Sequence, residues 1–250
     1  LREYKPYFSE DLIPPEAELK IADNLKRRPY RLRIDGDGFI IPSRIHAKPD
    51  LSLIFLGGSS TACGYMGEGQ RFPYLTGRLL EEATGKKINS YNSGVGGNNS
   101  LHSLNILLNK GIPLKPEIAL LCHNINDLTT LLLEKTYWSD NPSRSSIVAV
   151  KPSISGSLKE IRDLLIPNLA REINRLSQEL KQKFRAGKKS PQKDEFARVR
   201  DRKIQYNEES LLKAFRSNLQ LFIDICRLHQ IRPVLLTQAN RLKETPDPII

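Results

Sequence analysis

Four short strand-like runs, Leu53–Leu56, Lys87–Tyr91, Ile118–Cys122 and Pro233–Thr237, alternate with segments of helical period, and this alternation limits the fold more than any other feature. Between the first two runs, Pro73 stands at a first helical turn ahead of Leu75, Leu79, Leu80 and Ala83. Leu101, Leu104, Leu107 and Leu108 share one helical face before the third run. Leu211, Leu212, Phe215, Leu219, Phe222, Ile223 and Cys226 mark one side of a long amphipathic helix before the fourth. Strands and helices alternating at this spacing join by right-handed crossovers into a parallel sheet covered on both faces. The fold class is α/β.

The rest of the chain is less regular. Residues 1–50 are rich in proline and charge, with extended stretches at Tyr30–Ile34 and Phe39–Ile41 around the turn Asp35-Gly36-Asp37-Gly38, and they read as a lead-in that packs on a core spanning 51–250. A helical, basic insertion is expected over about 137–204. It opens with a loop or lid over Tyr137–Gly156, carries a helix with Leu169, Ile173, Leu176, Leu180 and Phe184 on one stripe, and has a mobile connection at Ala186–Lys193. Only thirteen residues follow Thr237, and they include Pro246 and Pro248, so the domain is expected to be incomplete at its C-terminal end. The single methionine, Met66, implies that an initiator, with any export signal or anchor, lies upstream.

Net charge is +11, much of it concentrated between Arg171 and Lys203. No aromatic side chains interleave those cations, so they fit a solvated helical face better than a nucleic-acid groove. No run of 18 to 20 apolar residues is present to span a membrane. Cys63, Cys122 and Cys226 lack zinc-ligand spacing and sit in or beside apolar segments, which suits buried free thiols, and no metal or organic cofactor is called for.

In a parallel α/β sheet, ligands gather beyond the carboxyl ends of the strands. Gly57-Gly58-Ser59-Ser60-Thr61 follows the first run, Asn92-Ser93-Gly94-Val95-Gly96-Gly97 the second, and Asn124-Ile125-Asn126-Asp127 the third. The first lacks the Gly-Lys-Ser/Thr ending of a phosphate loop, and the second does not match the dinucleotide fingerprint. Together they offer what acyl transfer needs. Ser59 is a hydroxyl nucleophile, and the backbone N–H groups of Ser59 and Gly97 with the Asn126 side-chain amide are donors for a developing oxyanion.

These three segments, in this order, resemble the blocks of the SGNH/GDSL hydrolase family over roughly residues 51–128, and Ile231–Thr237 is similar to a later core strand. The resemblance implies a three-layer α/β/α fold with a flavodoxin-like sheet, Ser59 as nucleophile, and Gly97 and Asn126 as oxyanion donors. It also implies a small ester substrate, such as a carbohydrate O-acetyl group or a short-chain lipid ester, and, from the habits of bacterial members, an envelope or extracellular location. Gly58 departs from the family's Asp, and Asn124 from its Gly. The larger departure is the absence of an Asp-x-x-His block, without which a serine hydroxyl has no base. Of the four histidines, His46 and His102 read as surface residues and His229 as a helix-end residue. His123 adjoins the third block, where it could line the crevice and orient substrate, or less readily act as base. A carbohydrate- or ester-binding module without turnover is the competing reading.

Overall fold

The computed structural model describes residues 2–22, 24–138 and 204–238. The expected basic insertion beyond Trp138, with its helix and connection, and the segment after Gln238 lie outside the described residues.

Four parallel strands form the central sheet: β3 (Leu51–Gly57), β4 (Ile88–Asn92), β5 (Ile118–Cys122) and β6 (Arg232–Leu236), in spatial order β4-β3-β5-β6. Each expected strand is present, within about two residues at either end. The first strand pairs with the second on one side and the third on the other, so the direction of winding reverses between β3 and β5. That reversal opens a crevice at their carboxyl ends.

Side chains alternate across the sheet and divide the core. Ile54, Leu56, Ala119 and Leu121 face Leu104, Ile106 and Leu107 of α4 (Ser100–Ile106) and its π-helical continuation Leu107–Gly111, together with Phe222 and Cys226 of α7 (Glu208–Leu228). Leu53, Phe55, Ile118 and Leu120 face Phe72 and Leu80 of α3 (Phe72–Thr84). The architecture is three layers, α/β/α. Helix faces differ in detail from the sequence reading. Leu79 of α3 is exposed, the π turn carries Leu108 to solvent, and Leu212 lies off the buried stripe of α7. Two short helices, α5 (Ile112–Leu114) and α6 (Ile125–Glu134), bracket β5.

The lead-in folds as a hairpin-like pair, β1 (Ser9–Leu12) antiparallel to β2 (Tyr30–Arg33), with α1 (Glu16–Ile21) between them. β1 has no apolar alternation, since three of its four residues are exposed, and for that reason it is silent in the sequence. Ile34 bridges Ile40, and Ile40 in turn bridges Asn92 at the end of β4. Leu32, Ile34 and Ile40 pack with Ala62 of α2 (Ser59–Ala62).

Arg71 fastens this layer. Its side chain is almost fully buried and donates to three backbone carbonyls: Nη1 to Ile41 and Nη2 to Arg31, each at 2.7 Å, and Nε to Cys63 at 3.4 Å. Burial lowers the Arg71 pKa from its ordinary value, and the nearby Glu68 carboxylate opposes that shift. Cys63 caps α2, so one guanidinium joins both lead-in segments to the turn that carries Ser59. Arg71→Met keeps the stem and deletes the donors, leaving buried carbonyls unpaired. It is expected to cost more than about 2 kcal/mol of unfolding free energy, read as a lower urea midpoint; an unchanged midpoint would refute the clamp.

Candidate functional site

The crevice at the carboxyl ends of β3 and β5 is lined by the first and third expected blocks, and the second packs behind the first. Ser59 and Ser60 are exposed at the start of α2, immediately after Gly58. Gly58, Ser59, Ser60, Asn124, Asn126 and Gln238 line the cleft, with Cys122, His123 and Ile125 at its wall.

Asn126 is set against the Gly58-Ser59 turn: a Cβ at Gly58 would lie 2.5 Å from Asn126 Nδ2 and 3.2 Å from the Asn98 carbonyl. Asn126 Nδ2 donates to that same carbonyl at 2.7 Å, which orients the amide and leaves its second N–H to point elsewhere. The second block also closes on α2. A Cβ at Gly94 would fall 2.4 Å from the Ala62 nitrogen, a contact with backbone that only glycine permits at this position. Val95 N–H bonds the Gly57 carbonyl, and Asn92 Nδ2 bonds the Thr61 carbonyl, so both ends of α2 are tied to this block.

Gly97 is exposed with φ of +78° and precedes Asn98, which holds Asn126. Its carbonyl accepts from Arg2 Nη1 at 3.4 Å, and that of Gly96 from Arg2 Nη2 at 3.1 Å. The Ser59 and Gly97 N–H groups make no backbone hydrogen bond among the described residues. The described structure therefore brings Ser59 and Asn126 together at one strand-end crevice, while Gly97 is not among the residues lining it and connects to it through Asn98. Among the described residues no cluster of His, Cys, Asp and Glu could hold a metal ion.

Behind Asn126 lies a polar network that the sequence reading missed. The Asp127 carboxylate, 1% exposed, accepts from Ser100 N–H at 2.9 Å, from the Ser100 hydroxyl, and from the Tyr137 hydroxyl at 2.7 Å. Asn218, a buried amide on the apolar side of α7, donates to Ser100 Oγ at 2.8 Å. Thr130 returns its hydroxyl to the Asn126 carbonyl at 2.7 Å. Burial, then the Asp127 charge, pushes the Tyr137 hydroxyl far above the usual phenol range, so it stays a donor.

The histidines resolve differently from expectation. His102 is buried, not on the surface. It forms a capping box with Asn99, accepting from Asn99 N–H at 3.0 Å while Asn99 Oδ1 accepts from His102 N–H at 3.2 Å. His46 is part-buried and pairs with Glu81. His229 ends α7, as expected. The thiols are free, but Cys226 alone is fully buried, and Cys63 and Cys122 are only partly so.

His123 belongs to the cleft wall, yet its side chain is 1% exposed and faces inward. Nε2 shares a 2.6 Å hydrogen bond with Ser103 Oγ, and Nδ1 lies 3.5 Å from Asp127 Oδ2. Both ring nitrogens are engaged away from Ser59, which excludes the direct base role in this arrangement. Burial lowers its pKa from 6.5 to about 4; Asp127 opposes that shift and His102 adds to it.

No family model matches the chain, and no curated protein matches it. Among solved structures it is similar to an acetyl xylan esterase from Geobacillus stearothermophilus, at 18% identity over 47% of this chain and 56% of that one, with a TM-score of 0.30. It is also similar to a structure described as a GDSL-like lipase from Parabacteroides merdae, at 20% identity over 50% and 58% of the two chains, TM-score 0.29. A third is an alpha/beta hydrolase enzyme from the metagenome of Lake Arreo, at 15% identity over 48% and 55%, TM-score 0.29. The matches span a little over half the length of each. The fold class here rests on strand order and register.

The His123 environment sets a pH dependence. Between pH 6.5 and about 4 the unfolded chain takes up a proton that the folded chain refuses, so stability falls as pH falls through that window. His123→Gln is expected to remove this part of the slope, at most about 3 kcal/mol. Urea unfolding at pH 7 and pH 4.5 measures it, and parallel pH dependences in the two proteins would show that His123 does not titrate this way.

Proposed function

We propose that this chain supplies the nucleophile and oxyanion donors of a serine esterase, with Ser59 attacking a small ester and Asn126, with the Ser59 and Gly97 N–H groups, stabilising the tetrahedral oxyanion. The observation that carries the reading is the packing of the Asn126 amide against Gly58, beside an exposed serine on a strand-to-helix turn at the reversal point of the sheet. An amide so placed can strengthen its hydrogen bond as charge develops, which is where such sites gain most of their rate.

The reaction class is acyl transfer through an acyl-Ser59 intermediate. The Ser59 oxygen bonds the carbonyl carbon, the alcohol leaves with a proton, and water then releases the acid. The hydroxyl proton has to go to a base, and none of the four histidines makes a hydrogen bond to Ser59. The reading therefore requires a further proton acceptor near Ser59. The described lining of the cleft is polar and carries no Lys, Arg, Asp or Glu, which suits a carbohydrate O-acyl group better than a lipid ester, whose alkyl chain would strand the carboxamides there.

Two measurements test this. A fluorophosphonate probe applied to the protein from its native source is expected to label Ser59 and to be lost in Ser59→Ala; absence of labelling would leave a binding module without turnover. Asn126→Ala is expected to lower kcat on 4-nitrophenyl acetate by about 100- to 1000-fold with little change in KM, because the lost donor acts on the oxyanion. A rise in KM alone would remove Asn126 from that role.

A further inference from the structure

β6 ends at Leu236 beside β5, and two residues later Gln238 turns into the cleft occupied by Ser59 and Asn126. Its Nε2 donates to Ser60 Oγ at 2.8 Å, a contact across 178 residues of chain. That bond uses one N–H of the carboxamide and one lone pair of the hydroxyl. Two groups are left side by side: Gln238 Oε1, an acceptor, and the Ser60 O–H, a donor, neither in another hydrogen bond among the described residues. A hydroxyl group, both donor and acceptor, is the chemical complement of that pair.

Charge narrows the ligand further. Among the described residues no Lys, Arg, Asp or Glu lines the cleft, so none of them compensates a carboxylate, phosphate or ammonium brought out of water.

We propose that Gln238, held by Ser60, is the specificity-determining contact for the alcohol side of the ester, and that it selects a neutral, polyhydroxylated leaving group. This rests on the reading of Ser59 as the nucleophile. The Gln238 carboxamide receives a hydroxyl proton of the sugar or polyol next to the scissile oxygen, and the Ser60 hydroxyl donates to the same or an adjacent oxygen. A leaving group without hydroxyls leaves both protein groups unmatched and gains nothing from them.

The test compares two esters, 6-O-acetylglucose and 4-nitrophenyl acetate, which share the acyl group and differ in the alcohol. Gln238→Leu, which keeps the side chain's length and deletes its polar atoms, is expected to lower the ratio of kcat/KM for the sugar ester to that for the aryl ester at least tenfold. Gln238→Glu restores the Oε1 acceptor and should recover part of that ratio. An unchanged ratio, including a parallel fall on both esters, would overturn the proposal, because Gln238 would then act only by holding the Ser60 turn. Binding separates this outcome from failure of the esterase reading. In Ser59→Ala, calorimetric affinity for 6-O-acetylglucose should weaken at least tenfold when Gln238→Leu is added. Loss of that affinity in a protein whose Ser59 neither labels nor turns over ester would retain the Gln238 contact and discard the nucleophile. No binding, or binding indifferent to Gln238, would discard the contact itself.

Discussion

The buried carboxylate of Asp127 is the interaction on which the described site depends. A carboxyl group 1% exposed is tolerable only when donors surround it, and here they arrive from separate parts of the chain, the N-terminus of α4 through Ser100 and Tyr137 beyond α6, with the His123 ring 3.5 Å away. Asn218 of α7 reaches the same cluster through Ser100. Because an unpaired charge in that position would cost far more than any single contact returns, the helices converge on one geometry around it. Asn126 is the next residue in the chain. Its placement against Gly58 follows from the anchoring of Asp127 beside it.

On the other side of the crevice the constraint is backbone packing. Gly94 lets the second block touch the backbone of α2, Val95 and Asn92 tie that block to both ends of the turn, and Arg71 holds the far end of α2 to the lead-in. The lead-in is consequently part of the site's support. Leu32, Ile34 and Ile40 share a core with Ala62, three residues from Ser59. Residues far from any chemistry thus determine where the hydroxyl stands.

Much of this was legible in the chain because it is local. Apolar runs such as Ile118–Cys122 and the helical spacing of Phe222 and Cys226 report burial directly, and strand-end glycines and asparagines mark the crevice once the sheet is parallel. What escaped depends on contacts between distant residues. His102 looked like a surface residue because its reason for burial is the amide of Asn99 and the core that closes over it, and nothing in its neighbours' hydropathy reports that. Asn218 breaks the apolar stripe of α7 for a partner 118 residues away, and Gln238 gains meaning only when β6 is placed beside β5. β1 was silent because an exposed edge strand needs no alternation. The π turn at Leu107–Gly111 shifts the helix register without altering composition, so Leu108 was assigned to a face it leaves.

The distribution of acid–base chemistry bears on what the crevice can do. Ser103, His123 and Asp127 stand in the order of a nucleophile, imidazole and carboxylate relay, with Ser103 Oγ 2.6 Å from His123 Nε2. Recognition of a relay depends on roles as well as on order, and two roles fail here. Ser103 has no exposed surface, so no carbonyl can reach it, and burial holds His123 neutral to about pH 4, which opposes the imidazolium that proton transfer would create. Ser59 shows the converse: exposed, beside an oriented amide, and without an imidazole among the four of the chain bonded to it. The imidazole that is present serves packing, as the partner of Ser103 and the neighbour of Asp127, and so helps fix Asn126. Charge stabilisation and proton transfer are separable functions in acyl transfer, and under the proposed reading the described residues of this chain would serve the first.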